Sequence, residues 1–217
     1  MATLLTLIRH GHTVWNALGR YQGYAPIPLS ERGQAQAACL AEVLAGDDTI
    51  QAVYSSDLAR CRQTAAPLEA VLGLPVHVDE RYREMHYGRW QGMTLDEIKA
   101  YDAVAYQAYQ ADPFTVPVPG GDSQKMLQER VVAGLTELLA RHAGEHVVLV
   151  THGGPVREIL RHFDLWPGGL PLGNASRTVL QISADGVSAV LQLADDVSHL
   201  PVELQPEMSG TAFLVPR

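Results

Sequence analysis

Cysteine is scarce in this chain of 217 residues, which contains only Cys39 and Cys61. Two thiols are too few for the disulfide framework that stabilises many small secreted domains. Both lie in alanine-rich stretches with a helical pattern, and a free cysteine usually behaves as a small buried hydrophobic residue. We therefore interpret neither thiol as catalytic.

Long apolar runs are absent as well. No run approaches the roughly 20 apolar residues that a helix needs to span a bilayer. The N-terminal segment MATLLTLIRH has no basic start and reaches Arg9 too early for a secretory signal peptide. We expect a cytoplasmic protein that has no membrane partner.

Positive charge is in deficit, because the formal net charge is −8. A protein that binds nucleic acid usually carries a basic surface, so we expect no nucleic-acid partner. Lysine occurs only as Lys99 and Lys125, and the other cations are arginines. Since arginine binds phosphate and carboxylate groups through paired hydrogen bonds, any anion site would be a local arginine cluster.

The length and the 47% hydrophobic content suit one globular domain, which we expect to cover residues 1–205. Residues 206–217 are predicted to form a tail. Its last seven residues, 211–217, end in LVPR and resemble the remnant of a protease-cleavage linker. We find no internal repeat and no low-complexity tract.

Three segments share one pattern: a short apolar run, a polar turn and an amphipathic stretch. The apolar runs cover residues 3–8 and the segments that end at Tyr54 and Thr151. Continuous apolar runs are typical of strands buried on both faces of a parallel sheet. After the second run, Ser56 is the expected cap of a helix that reaches about Leu72.

Further helices are predicted around these strands. Ser30 is the expected cap of a helix through Val43, and the TLDE segment at Thr94 is a capping box that opens a helix toward Tyr109. Residues 122–142 have the apolar spacing of a long amphipathic helix.

Together these elements predict an α/β fold: a three-layer α/β/α sandwich with a mostly parallel, mixed sheet of about six strands. Two apolar segments that flank an ADG turn near the C-terminus predict a hairpin. Residues 94–121 include a loop rich in proline and glycine. We interpret this stretch as a helical excursion, a lid over the C-terminal strand ends.

Ligands of open α/β sheets bind beyond the carboxyl ends of the strands. Here those ends deliver Arg9 and His10 after the first strand, Arg60 one helical turn after the second, and His152 after the third. A Gly-Gly turn then begins a helix, whose free N–H groups and dipole attract anions. The arrangement favours a phosphate site.

Seven segments now carry a resemblance to a known family: LIRHGHTVWN, GRYQG, PLSERGQAQA, VYSSDLARCRQTA, REMHYGRWQG, PGGDS and VTHGGPVR. In this order, over residues 4 to about 183, they resemble the histidine phosphatase superfamily, the phosphoglycerate-mutase-like proteins. The short RHG motif is modestly specific alone. It becomes highly specific in combination with the later motifs.

The resemblance implies a role for each core residue. His10 would be the nucleophile that forms a phosphohistidine, and Glu84 the general acid for the leaving oxygen. Arg9, Arg60 and His152 would bind the phosphoryl group. This chemistry requires neither a metal nor a cofactor, because arginines neutralise the phosphoryl oxygens and imidazole is a competent nucleophile.

Within the family, several details resemble the phosphatase branch, which includes alpha-ribazole phosphatase and broad-specificity phosphatases. Gly154 follows the HG pair where mutases typically carry asparagine, and the segment after REMHYGRWQG is shorter than in mutases. We expect a phosphomonoester hydrolase for a small phosphorylated metabolite. A cofactor-dependent phosphoglycerate mutase is the main alternative.

Other positions are candidates for substrate binding. The resemblance places Asn16 and the Gly153 backbone beside the phosphoryl group, and Asn174 near the substrate. Gln22 and His86 could line the leaving-group pocket or could pack the lid against the sheet. Asn174 could equally be a turn residue before the following strand.

His12 departs from the acidic residue that the family commonly has after RHG. It could contact an acidic part of the substrate or face solvent without a role. The His-x-His spacing with His10 is also compatible with a metal-dependent hydrolase, because alternate residues of a strand point the same way. A non-catalytic binding module is a further alternative. The oligomeric state stays open, with a homodimer as one option.

Overall fold

Six strands form one mixed sheet in the computed structural model, which describes residues 1–206. The strands are β1 Thr3–Arg9, β2 Ile50–Ser55, β3 Val76–Val78, β4 His146–Thr151, β5 Arg177–Ile182 and β6 Ala189–Asp196. Their order in the sheet is β3-β2-β4-β1-β5-β6. The first four are parallel, and β5 and β6 pair antiparallel at one side. The predicted fold class and the predicted hairpin are confirmed.

Seven α-helices connect these strands within the described residues. They are α1 Val14–Ala17, α2 Glu31–Leu44, α3 Ala59–Leu72, α4 Leu95–Tyr101, α5 Ala103–Ala111, α6 Gln124–Arg141 and α7 Gly153–His162. Short 3₁₀ helices cover Glu80–Tyr82, Gly88–Trp90 and Val202–Leu204. From residue 207 on, the predicted tail lies outside the described residues.

The central strands bury side chains on both faces, as their continuous apolar runs predict. Leu149 of β4 packs with residues of α6 and α7, such as Leu135 and Ile159, in one core cluster. Its neighbour Val150 packs with residues of α2 and α3 in a second cluster on the other face. Since successive side chains of a strand point to opposite faces, the sheet is the middle of three layers.

Two predicted helix starts are confirmed by their caps. The Ser30 side chain accepts a hydrogen bond from the backbone N–H of Gly33 at the start of α2. The capping box at the start of α4 is complete, because Thr94 and Glu97 each accept from the other's backbone N–H. Both caps satisfy N–H groups that a helix cannot pair internally.

The predicted cap of α3 at Ser56 is wrong. This helix begins later, with Leu58 at the cap position and no side-chain hydrogen bond there. Ser56 is fully buried, and its hydroxyl lies 3.0 Å from Nε2 of His152. The local sequence predicts that Ser56 caps a helix, but its side chain makes a long-range contact in the interior instead.

The single helix predicted from Thr94 toward Tyr109 is divided at Asp102, which separates α4 from α5. Asp102 has φ −139° and ψ 48°, outside the helical region. Its carboxylate accepts a hydrogen bond from the Trp90 indole at 3.3 Å. The Trp90 ring also packs edge-on against Tyr109 at 5.5 Å. This excursion thus packs against the segment that follows Glu84, and its action as a lid stays a prediction.

Within residues 1–206, no helix combines the length and the apolar character needed to cross a membrane.

The centre of the sheet is where loss of packing should cost most. Leu149 is 0% exposed, so Leu149→Ala should lower the free energy of unfolding by about 2–5 kcal/mol through lost contacts and a cavity. The same truncation at Leu18, which is 54% exposed, should cost less than about 0.5 kcal/mol. Urea unfolding followed by circular dichroism measures both values, and equal losses would contradict this account of the core.

Candidate active site

His10 is the first residue after β1 and is buried at the carboxyl end of the sheet. Its backbone N–H donates to the Thr151 carbonyl at 2.9 Å, and its ring Nδ1 lies 2.7 Å from the Gly11 carbonyl oxygen. Because a carbonyl only accepts, Nδ1 carries the ring proton. The other ring nitrogen, Nε2, therefore keeps its lone pair.

The His10 ring is also kept uncharged. Burial lowers its pKa well below the ordinary value, and the nearby positive charges of Arg60 and Arg9 lower it further. A neutral imidazole with an unprotonated Nε2 is the form that can attack an electrophile.

Arg60, in the first turn of α3, is almost fully buried beside His10. Its two terminal nitrogens donate to the carbonyls of Gly23 at 2.8 Å and Ala25 at 3.1 Å. Its Nε donates to Nδ1 of His152 at 3.2 Å. These bonds fix the guanidinium without a carboxylate, so its positive charge is not cancelled.

His152 follows β4, and its ring packs edge-on at 5.1 Å from the ring of His10. Since Nδ1 accepts from Arg60, the ring proton lies on Nε2, which donates to the Ser56 hydroxyl. Burial, with the charge of Arg60, lowers the pKa of His152 well below its usual range. Ser56 was expected to cap a helix and not to contact this histidine.

Arg9 completes the cationic group at the end of β1. One terminal nitrogen donates to the Leu172 carbonyl, while its buried Nε has no hydrogen-bond partner among residues 1–206. A Cβ atom placed on Gly153 would lie 3.8 Å from this Nε, with nothing nearer. An atom at this place would thus be in van der Waals contact with Arg9 at the start of α7, a position that suits an anionic oxygen.

Glu84 lies across from these cations, and backbone N–H groups hold both of its carboxylate oxygens. Oε1 accepts from Met85 at 2.9 Å and Oε2 accepts from Gly154 at 3.2 Å. A Cβ atom at position 154 would lie only 2.0 Å from Oε1. Glycine at this position is therefore what allows the carboxylate to approach the start of α7.

Arg130 of α6 was missed by sequence reasoning, although it organises the segment that carries Glu84. Its guanidinium donates to the carbonyls of Arg81 at 2.9 Å, Arg83 at 2.6 Å and Glu84 at 2.7 Å. The amphipathic pattern places Arg130 on a helix but does not reveal which carbonyls lie opposite. No local signal could have identified this role.

Asn174 and Asn16 connect the loop after β1 to the loop before β5. Asn174 Nδ2 donates to the His10 carbonyl at 3.1 Å and lies 3.3 Å from Oδ1 of Asn16. That Oδ1 also accepts from the backbone N–H and the hydroxyl of Thr13. Because these donors occupy Oδ1 of Asn16, its Nδ2 group is the part of the side chain that is available to another acceptor. Asn174 holds the backbone of His10.

Gln22 and His86 lie on neighbouring loops. Gln22 is buried, and its Oε1 has no hydrogen-bond partner in the described part of the chain. The His86 ring packs edge-on against Tyr24 at 4.7 Å, and its backbone N–H donates to Asp122 at 2.9 Å. The structure therefore gives His86 packing contacts and gives Gln22 an unused acceptor.

The contacts of His12 differ from those of His10. Its Nδ1 lies 2.8 Å from the Ser30 hydroxyl, and its backbone N–H donates to Gln36 of α2 at 2.8 Å. Strand β1 ends at Arg9, so the strand alternation that would align the two histidines for metal binding does not extend to them. Across residues 1–206, no group of three or more histidine, cysteine or carboxylate side chains is arranged to hold a metal ion.

Cys61 is buried beneath His152, with its Sγ 3.3 Å from Nε2 of that ring. Burial raises the pKa of this thiol to about 12, so the reactive thiolate is not formed near neutral pH. Cys39 packs against the second core cluster. Neither thiol has the environment of a nucleophile.

Two buried histidines, two arginines and a carboxylate at the strand ends define a site for phosphoryl transfer. The model of the histidine phosphatase superfamily (branch 1) matches residues 5–195. The chain therefore belongs to the histidine phosphatase superfamily.

Similar proteins from the same family agree with this assignment. Phosphoglycerate mutase-like protein 4 of Arabidopsis thaliana is 35% identical over 90% of this chain and 86% of its own length. A metal-independent phosphoserine phosphatase of that plant is 34% identical over 91% and 83%. The structure of a putative alpha-ribazole-5'-P phosphatase from Escherichia coli superimposes with a TM-score of 0.80 at 27% identity, over 90% of this chain and 97% of that one. The predicted family and the predicted enzyme class, a phosphatase, are confirmed.

The buried neutral histidines should make stability depend on pH. Because burial lowers the pKa values of His10 and His152, the unfolded chain binds more protons once the pH falls below about 6.5. The contribution of these neutral rings to the free energy of unfolding is therefore fully present above pH 6.5. Below that pH, each histidine lowers the free energy of unfolding by up to about 1.4 kcal/mol per pH unit. Urea unfolding at pH 5.5 and 7.5 measures this loss. In His10→Asn the free energy of unfolding should depend less steeply on pH. An unchanged slope would contradict a buried, neutral His10.

Proposed function

We propose that this phosphatase hydrolyses a small phosphorylated metabolite through a phosphohistidine formed on His10, without a metal or cofactor. One observation carries the proposal: the hydrogen bond between Nδ1 of His10 and the Gly11 carbonyl. It leaves Nε2 unprotonated in a neutral ring that adjoins the cations Arg9 and Arg60. A nucleophile beside two uncancelled positive charges suits an anionic phosphate ester.

In the first step, His10 Nε2 attacks phosphorus, and the bond from phosphorus to the leaving oxygen breaks. Arg9, Arg60 and His152 are proposed to stabilise the charge on the phosphoryl oxygens, His152 by orienting the Arg60 guanidinium through its Nδ1. The N–H of Gly153 and the amide of Asn16 extend this cradle. Positioning and charge neutralisation are the main requirements of phosphoryl transfer, and these groups supply both.

Glu84 is the proposed proton donor to the leaving oxygen. In the second step, its carboxylate accepts a proton from the water that attacks phosphorus. The phosphorus–nitrogen bond then breaks, so His10 and Glu84 return to their initial forms and inorganic phosphate is released. The two backbone N–H groups that hold Glu84 support a fixed position for both transfers.

The remaining candidate substrate-binding residues have different proposed roles. Gln22 and His86 would face the leaving group, since each lies on a loop near Arg60 or Glu84. Asn174 acts on the reaction through the backbone of His10. His12 stays a proposed contact at the rim of the pocket. Hydrolysis is favoured over mutase chemistry because position 154, against which the Glu84 carboxylate packs, is glycine where mutases typically carry asparagine.

The phosphoenzyme is directly testable with a 32P-labelled phosphomonoester and rapid acid-free quenching. The wild-type protein should carry label that is sensitive to acid and to hydroxylamine. His10→Ala should lose the label, and its kcat should fall at least about 1,000-fold because the nucleophile is missing. His77→Ala changes an exposed histidine on β3 and should keep both. Label that persists in His10→Ala would overturn the proposal.

Glu84 should matter most for leaving groups that need a proton. Glu84→Gln should slow hydrolysis of glycerol 3-phosphate by about 100-fold or more, and hydrolysis of p-nitrophenyl phosphate by much less. Arg130→Met should show the same pattern more weakly, because it releases the carbonyls that position Glu84. Steady-state kinetics with both esters make the comparison. Equal losses on the two esters would exclude the acid role.

A further inference from the structure

Arg157 lies on α7, one helical turn after Gly153. Residues four apart share a face of a helix, and side chains lean toward its N-terminus. Arg157 therefore covers the same turn whose N–H groups face the phosphate cradle. The mechanism above assigns it no part.

The Arg157 guanidinium has a donor that its neighbours leave unpaired. Its Nε is buried and has no hydrogen bond in the part of the chain that the structure describes. The adjacent carboxylate of Glu158 pairs instead with Arg161 at 2.8 Å. The Glu84 oxygens accept from backbone N–H groups. A buried donor without a partner carries a free-energy cost that a ligand can remove.

Aromatic rings and a second cation surround Arg157. Its Cζ lies 5.7 Å from the centre of the Trp166 ring. Burial raises the pKa values of Tyr21 and Tyr87, and the charge of Arg157 opposes both shifts. That charge also lowers the pKa of Arg9, after the larger effect of burial. The cation thus lies beside the phosphate cradle, on the side formed by aromatic residues.

We propose that Arg157 binds a carboxylate on the leaving group of the substrate, and so selects phosphorylated carboxylic acids. This inference rests on the proposed function. A single guanidinium matches the single charge of a carboxylate, whereas a second phosphate would bring a charge of about −1.5 to −2. Arginine also binds a carboxylate through two parallel hydrogen bonds, which fixes its orientation.

The spacing along α7 suits a short substrate. Four residues of helix rise by about 6 Å between Gly153 and Arg157. Four single bonds of about 1.5 Å join phosphorus to the carboxylate carbon of a three-carbon phosphate ester, which therefore extends over roughly 5 Å. The carboxylate at the far end of such an ester can reach Arg157 while the phosphoryl group stays in its cradle.

Matched substrates test this selectivity. 3-Phosphoglycerate and glycerol 3-phosphate differ in the carboxylate, as do phosphoserine and phosphoethanolamine. The wild-type enzyme should have a higher kcat/KM for the carboxylate member of each pair. Arg157→Met should lower that value roughly 10- to 100-fold, the range for a hydrogen bond to a charged group. It should change the value for the other member less than about threefold.

Two variants serve as controls. Arg157→Lys keeps the charge but loses the paired geometry, and it should recover part of the selectivity. Arg141→Met removes the same charge from the C-terminal end of α6, where the side chain is 58% exposed, and it should change neither substrate. These comparisons separate a local contact from a general loss of positive charge.

The outcomes distinguish this inference from the proposed function. If Arg157→Met slows both members of each pair equally, or slows neither, carboxylate recognition by Arg157 is wrong while the phosphatase mechanism stands. A wild-type enzyme that hydrolyses p-nitrophenyl phosphate but prefers the esters without a carboxylate also overturns it. If the wild-type protein hydrolyses no phosphomonoester, both proposals fail.

Discussion

Carbonyl oxygens of the main chain, rather than carboxylates, hold the buried arginines of this site. Arg60 donates to the carbonyls of Gly23 and Ala25, and Arg9 donates to that of Leu172. A carbonyl satisfies an N–H donor but carries only a partial charge, so the guanidinium groups remain cationic in a low-dielectric interior. A bound phosphoryl group would compensate this charge, and the neutral form of His10 follows from the same environment.

Backbone contacts position Glu84 as well as the cations. Glu84 approaches the start of α7 only because position 154 has no side chain, and Arg130 ties the preceding carbonyls to α6. The groups at the ends of β1 and β4, the first turn of α3 and the loop that holds Glu84 thus come together at one edge of the parallel sheet. Local hydrogen bonds then hold each group in place, and phosphoryl transfer depends on such positioning.

Much of the fold could be predicted from local patterns. The apolar runs identified β1, β2 and β4, and short polar signals identified the starts of α2 and α4. The predictions failed where a distant partner changed a residue's role. Ser56 contacts the ring of His152 instead of capping α3. Asp102 interrupts the predicted helix, and its carboxylate accepts a hydrogen bond from the Trp90 indole. The Ser56 contact joins residues 96 positions apart, so no local window of sequence reveals it.

The sequence by itself determined the family and the polar residues that follow each buried strand. It also determined the scarcity of lysine, which leaves arginine as the main cation available to bind an anion. Tertiary structure decided which ring nitrogen of His10 keeps its lone pair and which carbonyls hold Arg60 and Arg130. It also left the Nε groups of Arg9 and Arg157 without a hydrogen-bond partner among residues 1–206. Residue types define what chemistry a side chain can perform. Protonation, orientation and unpaired charge depend on neighbours that only folding brings within hydrogen-bond distance.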